Sequence, residues 1–420
     1  MNKNEKQKLE PKLRFPEFTS MDEWHNYRLE EISDRITERV GDKELPTLSI
    51  SAGIGFVSQE QKFSRDISGK QYKNYIHIKK GDFSYNKGNS KKFPQGCIYE
   101  LLEYAEAAVP NAFISFRFKY SYVSGFYKGY FENNFHGRQL VKYITSGARM
   151  DGLLNINPSD FFNIILPTPI KKEEQQKIAD CLSSIDDLIS AEEKKLSLLN
   201  DYKKGWMQKL FPAEGKTVPE WRFPEFKDDN NWKCVEIEMV GKVITGKTPP
   251  TSNDSLWNGS IQFVTPTDIV GDKYQRLVQR TVVKTSKMKV LPKGTIMFTC
   301  IASIGKMAIS VYPCVTNQQI NSIITNKGYY NEFIYYSLFR NVNKIKSDLS
   351  NTTVPIINKT DFSKIQIFVT LNEKEQEKIA NFLSGIDELI SSQKGKIEKL
   401  KQHKKALMQG LFPAAEEVCK

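Results

Sequence analysis

At 420 residues, with 39% hydrophobic content, 25 Phe and 18 Tyr, the chain is predicted to form two or three domains with real cores and not a disordered tail. No apolar run reaches the roughly 18 residues of a membrane span, and the N-terminal MNKNEKQKLEPK has no apolar stretch, so neither a span nor a signal peptide is expected. The net charge of +12 and pI near 9.1 suggest a polyanionic partner, most simply DNA or RNA.

In chain order, a leader (1–20) contains LRFPEF at 13–18 and is followed by Trp24. Residues 21–168 read as a first head of mixed strand and loop. Its positive charge is local: nine bases lie within 60–92 (Lys62, Arg65, Lys70, Lys73, Lys79, Lys80, Lys87, Lys91, Lys92) against three acids. AFISFRFKYSYVSGFYKGYF (112–131) alternates aromatic and polar residues as a half-buried strand pair does, and NFHGRQLVKYI (134–144) carries a faint helical pattern. Residues 169–212 are predicted to form one long helix, with Glu173 and Glu174 at the positive end of its dipole and a stop at LFP. A linker with a second leader (213–228) holds WRFPEF at 221–226 and is followed by Trp232.

The second head spans 229–369. IQFVTPTDI (261–269), GTIMFTCI (294–301) and KMAISVYP (306–313) read as strands bounded by Gly and Pro, and EFIYYSLFRNVNKI (332–345) as a helix. A second long helix spans 370–413, and 414–420 form a tail. Residues 171–212 hold eight Lys and eight acids, whereas 227–370 hold 18 Lys and Arg against 10 Asp and Glu. Basic heads on a neutral helical frame follow.

The helical segments repeat. EQQKIADCLSSIDDLISAEEKKLSLLNDYKKGWMQKLFP (174–212) and EQEKIANFLSGIDELISSQKGKIEKLKQHKKALMQGLFP (375–413) align without a gap, while the heads hardly resemble each other. Repetition of this kind fixes architecture first: one scaffold, two unlike heads. The first stripe comprises Ile178, Leu182, Ile185, Leu188, Ile189, Leu196, Leu199, Trp206 and Leu210; the second comprises Ile379, Leu383, Ile386, Leu389, Ile390, Ile397, Leu400, Leu407 and Leu411. Their spacings of 3, 4 and 7 fit a coiled-coil seam, and helices of this length reach about 57 Å. Glu192 and Gln393 interrupt the two stripes at the same seam position, mid-helix. In an antiparallel pair these polar side chains meet and fix register.

Catalytic patterns are weak. Gly241-Lys-Val-Ile-Thr-Gly246-Lys247-Thr248 satisfies GxxxxGK[ST], but a phosphate loop needs a helix N-terminus next, and Pro249-Pro250-Thr251-Ser252-Asn253 follows. Asn157-Pro158-Ser159 lacks the second proline and the aromatic of a base-methylating tetrad. E-x-K combinations lie on the helix and not on a nuclease strand. The four histidines (His25, His77, His136, His403) make no metal-ligand spacing. The six cysteines (Cys97, Cys181, Cys234, Cys300, Cys314, Cys419) have no CxxC pattern, so neither a zinc site nor a disulfide framework is expected, and a reducing cytoplasm fits. A chain with no catalytic, metal or cofactor site of its own is the expectation.

Two unlike heads, each followed by a repeated helix ending in LFP, resemble the specificity subunit of type I restriction–modification systems. EQQKIADCLSSIDDLI with KKGWMQKLFP, EQEKIANFLSGIDELI with KKALMQGLFP, and the paired RFPEF leaders carry the resemblance. GKTPPTSND, FVTPTDI, GTIMFTC, SIGKMAI and TNQQINSI in the second head, and KGDFSYNKGNSKKFPQGCIYE in the first, are similar to phrases of its target-recognition domains. The resemblance implies an α+β fold: two mixed α/β target-recognition domains separated by a pair of long helices that form an antiparallel coiled coil, with an internal two-fold repeat. It also implies that each head reads half of a split, asymmetric site in double-stranded DNA, and that the helical pair sets the gap between halves. By the same resemblance, two methyltransferase subunits are expected to carry S-adenosylmethionine and modify adenine. The resemblance further implies two restriction/translocase subunits that carry ATP and Mg²⁺, with no membrane involved.

In such a reader, lysines supply phosphate affinity while amides, hydroxyls and arginine read base edges. Candidates in the first head are Tyr85, Lys87, Asn89, Ser90, Lys91, Lys92 and Arg138. In the second they are Lys247, Thr248, Thr251, Asn253, Thr267, Asp268, Lys306 and Gln318, with Asp268 also suited to capping a loop. A bivalent scaffold for protein or RNA partners is the competing reading.

Overall fold

The computed structural model describes residues 9–88, 93–144, 154–286, 288–348 and 355–413. The chain divides into two compact units that cut across its linear order: Met1–Ala191 with Ile397–Lys420, and Glu192–Lys396. Each unit holds one head and a portion of both long helices, Lys172–Leu210 and Glu373–Leu411. Each helix has 39 residues and is therefore about 58 Å long. Among the described residues no helix is long and apolar enough to cross a membrane.

The first unit is built on a four-stranded antiparallel sheet in the order Ser33–Arg35, Ile114–Phe118, Phe83–Asn86, Cys97–Glu100. Its core is aromatic: Phe83 stacks on Phe116 at 5.4 Å and Phe118 on Tyr127 at 3.9 Å. The expected strand pair over 112–131 is corrected here. Ile114–Phe118 is a strand, but Ser124–Glu132 is an α-helix. Phe126, Tyr127, Tyr130 and Phe131 recur at helical spacing and are all buried, so the aromatic alternation conceals a 3.6-residue period.

The second unit carries a five-stranded sheet in the order Gly241–Thr245, Ile320–Thr325, Ile296–Thr299, Met307–Ser310, Tyr274–Gln275. A three-stranded sheet lies beside it: Arg280–Val282, Trp257–Val264, Cys314–Thr316. The helix expected near 332–345 forms over Asn331–Asp348. The first four strands of the large sheet follow the same chain-order pattern as the four-stranded sheet of the other head, although the sequences between hardly match.

Both units close on their helices in the same way. Arg14 of the first leader donates to both carboxylate oxygens of Glu174, at 2.8 and 2.9 Å, and Arg222 of the second does so to Glu375, at 2.7 and 2.8 Å. Glu174 and Glu375 are 1% and 0% exposed, so these carboxylates are structural and not merely dipole partners. The next residue acts alike as well: Gln175 accepts from the Val123 N–H and Gln376 from the Tyr330 N–H. The prolines of LFP end the helices, and the phenylalanines before them are buried. Phe412 meets Trp24 at 6.5 Å in the first unit, and Phe211 meets Trp232 at 5.4 Å in the second. Removing an aromatic side chain of this kind from water contributes roughly 2–3 kcal/mol.

Along the helices, Ile178, Leu182, Ile189, Leu210, Ile379, Leu383, Ile386, Ile390, Ile397 and Leu411 are buried, and Ile185, Leu196, Leu199, Leu400 and Leu407 half-buried. Trp206 is half-buried against Phe382, 5.1 Å away. Leu188 and Leu389 do not belong to the seam: they are 44% and 57% exposed. Ile185 with Ile189, and Ile386 with Ile390, already fill the inward face, so the leucine before each second isoleucine is rotated outward. Glu192 and Gln393 do meet. The Gln393 amide donates to Glu192 Oε2 at 2.5 Å and to its carbonyl at 2.9 Å, and Lys396 holds Oε1 at 2.5 Å.

Candidate nucleic-acid interface

Loops that leave the same ends of neighbouring strands gather at one edge of a sheet even when they are distant in sequence. In the second unit four such loops are tied together by hydrogen bonds. The Lys247 N–H donates to the Thr316 carbonyl and the Asn317 N–H to that of Val264. Thr248 Oγ1 donates to Gln318 Oε1 at 2.6 Å, and Lys306 Nζ reaches the Pro266 carbonyl at 3.5 Å. Lys247, Thr267, Lys306 and Gln318 are exposed on this edge and Thr248 is half-buried. Thr267 shares a hydrogen bond with Thr265 at 2.8 Å. Thr251 is exposed on the continuation of the first loop. Asn253 is exposed, and its side-chain oxygen accepts from the Ser255 N–H and hydroxyl, capping a short 3-10 turn.

Asp268 braces its loop, the capping role also expected of it. Its Oδ2 accepts from the Thr265 N–H and hydroxyl, and its Oδ1 from the Gln279 N–H. A carboxylate already accepting three bonds holds the 265–268 loop in shape.

The phosphate-loop spacing resolves into something else. Gly241–Thr245 is a strand paired with Ile320–Thr325, and the N–H groups of Gly246 and Lys247 are taken by the carbonyls of Ile320 and Thr316. A Cβ on Gly246 would lie 2.2 Å from two carbonyl oxygens, so glycine serves close backbone approach there.

Beside this edge lies a depression of about 540 Å³. Ile244, Leu256, Met288, Leu291 and Val315 make its walls, with Lys247 and Lys289 among its lining residues. Among the described residues that line it there is no carboxylate, imidazole or thiol. Lys289, Thr285 and Ser286 face it and were not singled out from the sequence; the basic run KTSKMKVLPK (284–293) was the available signal. Arg280, packed over Trp257 at 3.5 Å, is a further cation of this small sheet.

In the first unit the matching position in the sheet is the connection between Phe83–Asn86 and Cys97–Glu100, which carries KGNSKKFPQG. Asn89, Ser90, Lys91 and Lys92 lie outside the described residues. Lys87 is half-buried, and its carbonyl accepts from the Leu154 N–H. Arg138 is exposed on the helix Phe135–Leu140. Tyr85 is corrected: it is fully buried, stacked on Phe161 at 4.6 Å, and its hydroxyl donates to the Gln95 carbonyl. On a strand flanked by buried Phe83 and Ser84, its role is to shape the base of the loop.

The family described as Type I restriction modification DNA specificity domain matches residues 21–201 and 229–402. The type I restriction enzyme MjaIX specificity subunit of Methanocaldococcus jannaschii is 33% identical over 193 residues, 42% of this chain and 44% of that protein. The putative MjaX specificity subunit of the same organism is 29% identical over 292 residues, covering 68% and 67%. The match thus spans less than half the length of the first relative and about two thirds of the second. The crystal structure of a type I restriction–modification system S subunit from M. genitalium shares the fold, with a TM-score of 0.61 at 15% identity, over 97% of this chain and 100% of that one.

Proposed function

Since the chain belongs to the type I restriction–modification DNA specificity family, we propose that it is the sequence-reading, non-catalytic subunit of an adenine-methylating and restricting complex in the cytoplasm. Each head reads one half of a split double-stranded site. The long helices pair as an antiparallel coiled coil on a two-fold repeated frame, set the gap between the halves and dock two methyltransferase subunits. S-adenosylmethionine belongs to those partners, and ATP and Mg²⁺ to two restriction/translocase subunits. The observation that carries this reading is the edge of the second unit, where Lys247, Thr248, Thr267, Lys306 and Gln318 converge from four loops. Phosphate contact by the two lysines positions a duplex, and the hydroxyls and amide reach for base edges.

Selection of binders from a random duplex library by the full chain with its partner subunits is expected to return a split site. Replacing Lys247 and Lys306 with Ala should weaken binding alike across sequences and lower the slope of log K against log salt by about 2. Recovery of no preferred sequence would overturn the reading and leave a bivalent scaffold.

A further inference from the structure

The long helices carry one ion pair twice. Asp186 Oδ1 meets Lys404 Nζ at 2.6 Å in the first unit, and Asp387 Oδ1 meets Lys203 Nζ at 2.6 Å in the second. Asp186 and Asp387 are equivalent in the helical repeat, as are Lys203 and Lys404. In both units the second aspartate oxygen is taken by a helix of the head. Lys128, on Ser124–Glu132, reaches Asp186 Oδ2 at 2.6 Å; Tyr336, on Asn331–Asp348, donates to Asp387 Oδ2 at 2.6 Å.

Around each contact the two heads differ. In the first, Glu132 closes a ring of four charges, 3.3 Å from Lys128 and 2.5 Å from Lys404. Burial opposes charge on Asp186, but the two ammonium groups outweigh it and hold its carboxyl below the usual range. In the second, Tyr336 lies 3.3 Å from the Ser384 hydroxyl, which donates to Glu332; Glu332 also accepts from Lys273 and Tyr274. All members of each network belong to one unit. Partly buried charges in closed networks tolerate little displacement, because a shifted partner leaves a desolvated charge unpaired.

We propose that Lys128 and Tyr336 are positioning residues that lock each head at a fixed angle onto the crossing Asp–Lys pair of the long helices, and thereby make the complex selective for one gap length. This rests on the split-site reading above. Lys128 and Tyr336 touch no DNA in this role; they act through the aspartate and the head helix.

The test is library selection with the full chain and its partner subunits, scored as the ratio of bound sites with the preferred gap to those one base pair longer or shorter. Wild type is expected to show a preference of about tenfold or more, equivalent to one decade of binding constant. Lys128→Met is expected to reduce it to about threefold or less at unchanged half-site sequences, with Lys128→Arg restoring it. Tyr336→Phe, which keeps the ring, does the same from the second head if Lys128→Met fails to fold. A wild type that selects no split site overturns the functional reading itself. A wild type that does so, with variants equally strict about the gap, overturns the positioning role alone.

Discussion

Arg222 and Glu375 are 6% and 0% exposed and joined by two hydrogen bonds, so each carries a charge that nothing else in its surroundings neutralises as well. Removing the arginine strands a buried carboxylate. Arg222→Met is expected to cost about 3–5 kcal/mol, while Arg222→Met with Glu375→Met together comes back toward wild type, since the pair's attraction and its desolvation nearly cancel. Urea unfolding followed by tryptophan fluorescence measures both. His136 gives a pH dependence. It is fully buried against Phe131, and burial pushes its imidazole down to about 3. The unfolded imidazole takes its proton near pH 6.5, so between those limits the unfolded state binds the extra proton. Stability should therefore fall by about 1.4 kcal/mol per pH unit below about 6.5, the loss levelling off near pH 3. In urea titrations at pH 7, 6 and 5, His136→Leu should flatten that slope; an unchanged slope would assign the acid sensitivity elsewhere.

The outward leucines carry the main prediction for the helices. Leu188 and Leu389 stand at equivalent places in IDDLI and IDELI, and both are exposed. Exposed apolar side chains at two equivalent points would suit the two methyltransferase subunits proposed above. Leu188→Asp with Leu389→Asp should leave the melting curve within about 0.5 kcal/mol of wild type, as solvent-facing changes do, and abolish co-purification of the methyltransferase partner; retained partner would place the docking surface elsewhere. The long helices were legible in the sequence because a 3.6-residue apolar stripe, an acidic start and a proline stop agree over 39 residues. The outward turn of these two leucines was not, since a stripe wider than the seam looks the same until the facing helix is placed. Ser124–Glu132 was misread because closely spaced aromatics satisfy a strand period and a helix period at once. The Arg14–Glu174 and Arg222–Glu375 pairs join residues more than 150 positions apart. No local pattern reveals such pairs, although recurrence of both partners in both copies was a signal. Of the candidate residues, those on the exposed loops of the second head lie in segments that their Gly, Thr and Pro content marked as turns. The burial of Tyr85 was not legible, because burial is a property of the assembled sheet.

At the scale of the whole chain, sequence divergence and structural repetition are distributed differently. The two heads keep one order for their four shared strands while the loops that join them differ in length and chemistry, and the helices repeat without a gap, with about half of their positions identical. That distribution suits a frame whose dimensions must hold while its readers vary. The shared frame also reaches into the heads: Asn157 caps Pro158–Phe162 and Asn358 caps Lys359–Ser363, each through the N–H of an aspartate three residues on. If the helical pair sets the gap, helix length must convert to base pairs. Four residues inserted at the middle of each helix add about 6 Å of rise, or between one and two base-pair steps of about 3.4 Å. Mapping the methylated adenines made by the reconstituted complex should show the two modified positions moved apart by that amount, with the half-site sequences unchanged because the edge loops are untouched. Unmoved methylation positions would mean that something other than the helices holds the readers apart.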